Sequence, residues 1–311
     1  MRHIDTPGYR HEALFYRGDE EFLAGTVPLV RDAVDADAAV LVAVPRARVR
    51  VMEEALGHDR EQVVFADMEE LGRNPGRIIG AWRDFIRAHD DDDAPPLGIG
   101  QPIWPERTEA ELVECHRHEM LLNLAFPHEK PWTLLCPYDA ERLPDDVLRT
   151  ARRNHPHVVE HGELRRSESY VRAIPGPAPL PPPSVEPAEM RFSNGELAVV
   201  REFLARRAAH EGLAADRLPD LVLAVDELAT NTLRYARAEG SIRTWRENGT
   251  LLVEVADDGH IADPLAGRDC PPPTELGGRG LYLVNQLCDL VQLRTSPDGN
   301  IVRLHRRAID F

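Results

Sequence analysis

The sequence predicts two domains of different class: an N-terminal α/β domain built on a parallel sheet, and a C-terminal α+β sandwich with helices beside an antiparallel-rich sheet. Three observations predict this. A chain of 311 residues exceeds one ordinary domain and suits two. Before a proline-rich stretch, short apolar runs alternate with helical periodicity. After it, two long helical segments precede strands joined by tight-turn dipeptides.

Residues 38–44 are a continuous apolar run closed by Pro45, the pattern of a strand buried on both faces. Shorter runs at 63–65, 97–99 and 132–136 read as further strands, and helical periodicity occupies 20–34, 46–56, 76–89 and 108–125. Strand and helix in alternation predict a parallel sheet with helices packed on its faces. The acidic run from Asp90 to Asp93 reads as a solvated loop rather than a metal site. Residues 172–189 are so rich in proline that neither helix nor sheet interior can form there; they predict an extended, semi-rigid spacer rather than a ligand for a proline-recognition domain. The expected domains are therefore 8–171 and 190–307. In the second, helices are expected over 193–210 and 216–236, strands over 241–247 and 250–256, a glycine-opened helix over 280–288, and strands over 290–295 and 300–305. Asn248-Gly249 and Asp298-Gly299 read as hairpin turns, because such pairs tolerate positive φ.

Composition narrows the function. A formal net charge of −16 argues against a nucleic-acid surface, which needs a basic face to displace counterions. No apolar run reaches the length of a membrane span, and the first five residues lack the apolar core of a signal peptide, so a cytoplasmic protein with protein partners and small ligands is expected. Cys115, Cys136, Cys270 and Cys288 are widely spaced and read as reduced thiols. Lys130 is the only lysine, and it sits in Pro-His-Glu-Lys-Pro with no glycine-rich loop. A P-loop and a protein-kinase strand lysine are both excluded as routes to nucleotide binding.

Three pieces of the second domain carry chemistry. Glu227 and Asn231 are four residues apart and share one helix face. An asparagine oxygen suits Mg²⁺, and a carboxylate one turn earlier can accept a proton from an attacking hydroxyl. Asp257 ends an alternating strand and precedes Asp258-Gly259, so its carboxylate can accept from an adenine amine while Gly259 admits close backbone approach. Gly277-Gly278-Arg279-Gly280-Leu281 opens a helix, whose unpaired N–H groups offer an anion site for phosphates. Taken singly, each piece is equally a solvated helix face, a strand-end turn or a helix start.

In this order and spacing they resemble the GHKL ATPase pattern: an asparagine box, an Asp-x-Gly box, a lid and a Gly-x-Gly box. The resemblance covers residues 190–307. Within that superfamily the compact unit beginning with Asn194-Gly195-Glu196-Leu197 resembles the RsbW-type anti-sigma factors, serine kinases that bind ATP, hold a sigma factor and phosphorylate an anti-anti-sigma protein of the STAS type. The resemblance implies Mg²⁺ on Asn231, Glu227 as catalytic base, Asp257 and Gly259 at adenine, and Gly278, Arg279, Gly280 and Leu281 at the triphosphate. It also implies a homodimer. Two departures weigh against fast turnover: Ile261 replaces the last glycine of Asp-x-Gly-x-Gly, and the lid over 262–276 is short and stiffened by Pro264 and Pro271-Pro272-Pro273. A non-catalytic nucleotide-gated binding module therefore stays open as an alternative. So does a histidine kinase-like protein, although His155-Pro156-His157 is no uninterrupted phosphoacceptor helix.

The first domain is similar to the MEDS sensory domain over 8–171, carried by residues 10–16, by Pro102-Ile103-Trp104, and by residues 114–123. That resemblance implies a RecA/KaiC-like fold without a working P-loop, sensing a small-molecule signal. On one helix only neighbours three or four apart converge, so Cys115, His116 and His118 do not all meet as metal ligands, and His155, His157 and His161 read as surface or capping histidines rather than a zinc site. Trp82, Trp104 and Trp132 read as core or pocket wall.

Overall fold

The computed structural model describes residues 8–90, 92–126, 131–174, 176, 178–236, 239–271 and 278–307. Lys130, Gly277 and most of the proline run in the lid lie outside them. The chain divides into two compact units after residue 175. Among the described residues no helix is long and apolar enough to cross a membrane.

The first unit alternates strands and helices as β1 (Tyr9–Tyr16), α1 (Gly18–Asp35), β2 (Val40–Val44), α2 (Arg46–Leu56), β3 (Val63–Asp67), α3 (Met68–Leu71), α4 (Ile78–Ala88), β4 (Leu97–Gly100), α5 (Glu109–Ala125), β5 (Trp132–Asp139), α6 (Asp145–Asn154), β6 (His157–Glu160) and β7 (Glu163–Arg166). The sheet order is β3-β2-β4-β5-β1-β6-β7. Every neighbouring pair is parallel except the terminal hairpin β6–β7. This is the parallel α/β layer the alternation predicts. One face packs Phe22, Val30 and Met52 of α1 and α2 against Leu14, Val42 and Ile99. On the other, Trp82 of α4 lies flat on the sheet because Gly98 and Gly100 have no Cβ; one at either glycine would meet the indole at 2.9 or 2.8 Å.

Five elements of this unit are not anticipated by the apolar pattern: β1, the one-turn helix α3, α6, β6 and β7. β1 is nevertheless the strand between β5 and β6, buried along almost its whole length. Its apolar run is interrupted by Arg10, His11 and Glu12, so periodicity hides it. α1 follows β1 after the single residue Arg17, and its first turn carries Asp19, Glu20 and Glu21. A helix mouth of that sign repels phosphate.

The second unit runs β8 (Ala188–Ser193), α7 (Leu197–His210), α8 (Leu218–Tyr235), β9 (Glu239–Glu247), β10 (Thr250–Asp257), α9 (Arg279–Leu287), β11 (Leu290–Ser296) and β12 (Gly299–Arg307). Its five strands are ordered β11-β12-β10-β9-β8, all antiparallel. The helices bury Val200, Leu204, Leu221, Val225, Leu228 and Val284 against Ile242, Val253 and Val302. The helix expected from residue 193 starts only at Leu197, because residues 188–193 pair with β9 as an edge strand. The β9–β10 turn has Asn248 at φ 47° and Gly249 at φ 77°, the two positive values a tight hairpin requires.

The described residues of the proline-rich stretch form no helix or strand before Ala188, and from Ala178 onward it is fastened to this unit. The carbonyl of Ala178 accepts from Arg294 and that of Pro181 from Arg303, at 2.7 and 2.8 Å. Arg303 in turn pairs with buried Glu254 at 2.8 Å and lies over the Trp245 ring at 4.9 Å.

Candidate functional site

Helix α8 turns Leu221, Ala224, Val225, Leu228, Ala229 and Thr232 into the core, which leaves Asp226, Glu227, Thr230 and Asn231 half-buried on the flank. Glu227 and Asn231 thus stand one turn apart on the side facing α9. Gly280 comes so close that a Cβ there would lie 2.8 Å from Glu227 Oε2 and 3.1 Å from Asn231 Nδ2. Neither Glu227 nor Asn231 is hydrogen-bonded to another described side chain, so the mouth of α9 faces a free carboxylate and a free amide.

The strand end joins the same place. Asp257 Oδ2 accepts from the Thr232 hydroxyl at 2.7 Å, one residue beyond Asn231. Asp257 Oδ1 accepts from the Gly259 N–H at 2.9 Å and from Asn300 Nδ2 at 2.8 Å. A carboxylate has about four lone-pair positions, so one on Oδ2 remains for a ligand donor. A Cβ on Gly259 would press on Asn300 and on Asp257 itself, each at 3.0 Å.

Gly278 caps α9 with φ 82°, a left-handed conformation that favours glycine, and no cap side chain bonds the first helical N–H groups, which have no partner within a helix. The following residues, exposed Arg279 and half-buried Gly280 and Leu281, form the first turn. Asn285 donates to the carbonyls of Gly267 and Leu281 at 2.9 and 3.1 Å, fastening the start of the lid to α9. Gly267, at φ 75°, lies against the Leu281 backbone, where a Cβ would stand 2.8 Å from the carbonyl carbon. Ile261, in the place of the missing glycine, donates its N–H to the Thr295 hydroxyl at 3.2 Å.

The fold therefore brings all three sequence pieces to one side of α8. The residue types fit the expected ion: a carboxylate and, with the Asn231 amide turned so that its oxygen rather than Nδ2 faces Gly280, an amide oxygen are hard ligands of the kind Mg²⁺ takes, and Gly280 places no Cβ before them. Residues that sequence reasoning passed over are Thr232, Asn285 and Asn300, which orient Asp257 and the lid. Each partners a residue between 4 and 43 positions away, and only the Asn285–Leu281 contact has a local signal.

Other residues singled out in the first unit are placed differently from one another. Cys115 is buried with its thiol directed at the Pro102 carbonyl at 3.3 Å, and burial pushes that thiol up to about 12. Trp82 and Trp132 are core, whereas Trp104 lies under the Arg107 guanidinium at 3.7 Å. His161 is exposed. His155 corrects the expectation of a surface residue: it is fully buried, although it does cap α6 through Nδ1 and the Ala151 carbonyl at 2.8 Å.

Comparison with known proteins agrees with this division. Residues 10–156 match the family described as MEDS, the methanogen/methylotroph, DcmR sensory domain. Residues 190–306 match the histidine kinase-like ATPase domain. No curated protein matches the chain. Among solved structures, the RsbU and RsbW domains of Rv1364c from Mycobacterium tuberculosis are similar at 16% identity and a TM-score of 0.31, over 54% of this chain and 41% of that one. The histidine kinase AdeS of Acinetobacter baumannii is similar at 12% identity and a TM-score of 0.25, over 40% of this chain and 70% of that one. The chain thus spans about two fifths of the length of the first of these structures. The two family matches make this a protein that joins an N-terminal MEDS domain to a C-terminal histidine kinase-like ATPase domain.

Proposed function

We propose that the C-terminal unit binds Mg-ATP between α8, α9 and the end of β10 and acts as an anti-sigma regulatory kinase, under control of a small-molecule signal received by the N-terminal unit. The observation that carries this reading is the approach of Gly280 to both Glu227 and Asn231 beside the oriented Asp257. Asp257 Oδ2 would accept from the adenine amine, and the N–H groups after Gly278 would hold the phosphates. Mg²⁺ on Asn231 would neutralise phosphate charge. Glu227 would take the proton of a serine hydroxyl as its oxygen forms the bond to the γ-phosphorus and the bond to the ADP oxygen breaks. The partners are a STAS-type anti-anti-sigma protein, as phosphoryl acceptor, and a sigma factor, held when the acceptor is modified.

Labelled ATP incubated with the protein and a candidate STAS partner tests the chemistry. Label on a partner serine, lost in Glu227→Ala, is expected. Acid-labile label on the protein itself would instead make it a histidine kinase-like enzyme. The binding assignment has its own test: Mg-ATP titrated into wild type and Asp257→Asn, where equal affinities would remove Asp257 from adenine recognition.

A second reading has a specific observation in its favour. Ile261 stands where the pattern has glycine and is tied to Thr295. A segment held in this way suits a nucleotide-gated binding module that sequesters its partner without transferring phosphate. Tight, ATP-dependent complex formation with no label on either protein would establish it.

A further inference from the structure

The first unit holds a cluster that the nucleotide site does not use. His11 on β1, Glu119 on α5, Cys136 on β5 and His155 at the end of α6 each direct one ligand atom inward, and these four atoms lie within 4.8 Å of one another. All four side chains are at most 1% exposed. His11 Nε2 and His155 Nε2 stand 3.0 and 3.2 Å from the same Glu119 oxygen, and Cys136 Sγ lies 3.4 Å from His11 Nε2.

The surrounding hydrogen bonds decide what these atoms present. The Asn123 amide nitrogen donates to the carbonyls of Glu119 and Asn154, at 3.3 and 2.8 Å, so its oxygen is the atom facing His11 Nδ1 at 3.1 Å. His11 Nδ1 must therefore carry a proton. His155 Nδ1 faces the Ala151 carbonyl at 2.8 Å and must carry one too. In neutral imidazoles both Nε2 atoms then offer lone pairs, and both aim them at a carboxylate oxygen. Electron pairs facing one another in a dry interior are repulsive unless a cation lies between them. His155 Nε2 and Glu119 Oε1 have no protein hydrogen-bond partner.

We propose that His11, Glu119, Cys136 and His155 bind one divalent transition-metal ion of the zinc class. Two nitrogens, a carboxylate oxygen and a sulfur form a donor set typical of zinc. Bonds of about 2.0–2.3 Å at tetrahedral angles place donors roughly 3.3–3.8 Å apart; three of the separations are 3.0, 3.2 and 3.4 Å and none exceeds 4.8 Å, so shifts of about 1 Å or less reach that geometry. Metal uptake displaces the Cys136 thiol proton to solvent, and thiolate plus carboxylate then balance the two positive charges, so the buried site is neutral. The Asn123 and Ala151 acceptors act as outer partners that fix both imidazole rings. Four protein ligands leave no open position, so the ion ties β1, β5, α5 and α6 together rather than activating water.

The test uses the full chain, produced without a histidine tag in medium supplemented with zinc or with cobalt, so that the ion can enter as the unit folds. Elemental analysis is expected to find about one metal ion per chain. The cobalt form is expected to show tetrahedral visible bands and a thiolate-to-cobalt charge-transfer band. Cys136→Ser should lose the charge-transfer band, and Asn123→Leu should weaken metal retention about 10- to 100-fold. Wild-type protein that is folded yet carries less than about a tenth of an equivalent from either medium overturns the proposal, as does bound cobalt with no charge-transfer band. Both decisive readings come from the wild type, so a variant that fails to fold does not obscure them.

Discussion

The Thr232 hydroxyl donates to Asp257 Oδ2 at 2.7 Å, joining the helix that carries Glu227 and Asn231 to the strand end proposed to read adenine. Thr232 is buried, so this bond forms away from bulk water and fixes the carboxylate's rotation. The remaining lone pair of Oδ2 acquires its direction from α8 as much as from β10.

Thr232→Val keeps the side-chain shape and removes the donor. We expect about tenfold weaker Mg-ATP binding, about 1.4 kcal/mol, by isothermal titration calorimetry. Unchanged affinity would show that Asp257 is oriented sufficiently by Gly259 and Asn300.

Gly280→Ala separates stability from binding. In an ordinary helix this change raises stability by up to about 1 kcal/mol. Here the new methyl would meet the ends of Glu227 and Asn231 at 2.8 and 3.1 Å, and both can swing aside. The melting temperature should hold or rise while Mg-nucleotide affinity falls at least about tenfold. A binding-neutral variant would place the phosphates elsewhere.

Arg303→Met leaves buried Glu254, among the described residues, with only the Arg243 cation, 3.8 Å away, and releases the Pro181 carbonyl. Breaking a buried pair costs about 3–5 kcal/mol. A loss near the lower figure is expected in chemical denaturation, with faster proteolysis around residue 180. Adding Glu254→Gln should recover part of it, because no unpaired charge then stays buried.

His305 makes the second unit sensitive to acid. Burial first, and the nearby Arg303 second, push it down to about 3. Its neutral ring pairs through Nε2 with the Gln292 amide oxygen at 2.9 Å. Unfolded, it titrates near the usual value of about 6.5. Between those values the unfolded chain binds the extra proton, so stability is full above about 6.5 and falls as pH drops towards 3, by at most about 1.4 kcal/mol per unit. Denaturation from pH 7 to 4 should show a shallower fall in His305→Gln; identical slopes would exclude this group.

Local regularities in the chain foretell much of this. The apolar runs at 40–44 and 97–99 are strands because buried parallel strands need apolar residues on both faces. α2 and the Asn248-Gly249 hairpin are set by helical periodicity and by positive φ, both properties of neighbouring residues. The four-residue interval from Glu227 to Asn231 puts both on one helix face. β1 escaped because His11 and Glu12 break its apolar run, and the partners that His11 meets lie on α5 and β5, more than a hundred residues away.

The sequence alone determined the two fold classes, the absence of a P-loop, and which residue types stand at each helix mouth and strand end, since all of these follow from composition and short-range spacing. Tertiary structure alone decided that Gly280 meets Glu227, that Thr232 and Asn300 hold Asp257, and that His11, Glu119, Cys136 and His155 converge. The physical reason is one of range. Periodicity and turn chemistry act over a few residues, whereas strand order and register set which distant side chains share a space, and no local pattern records that pairing.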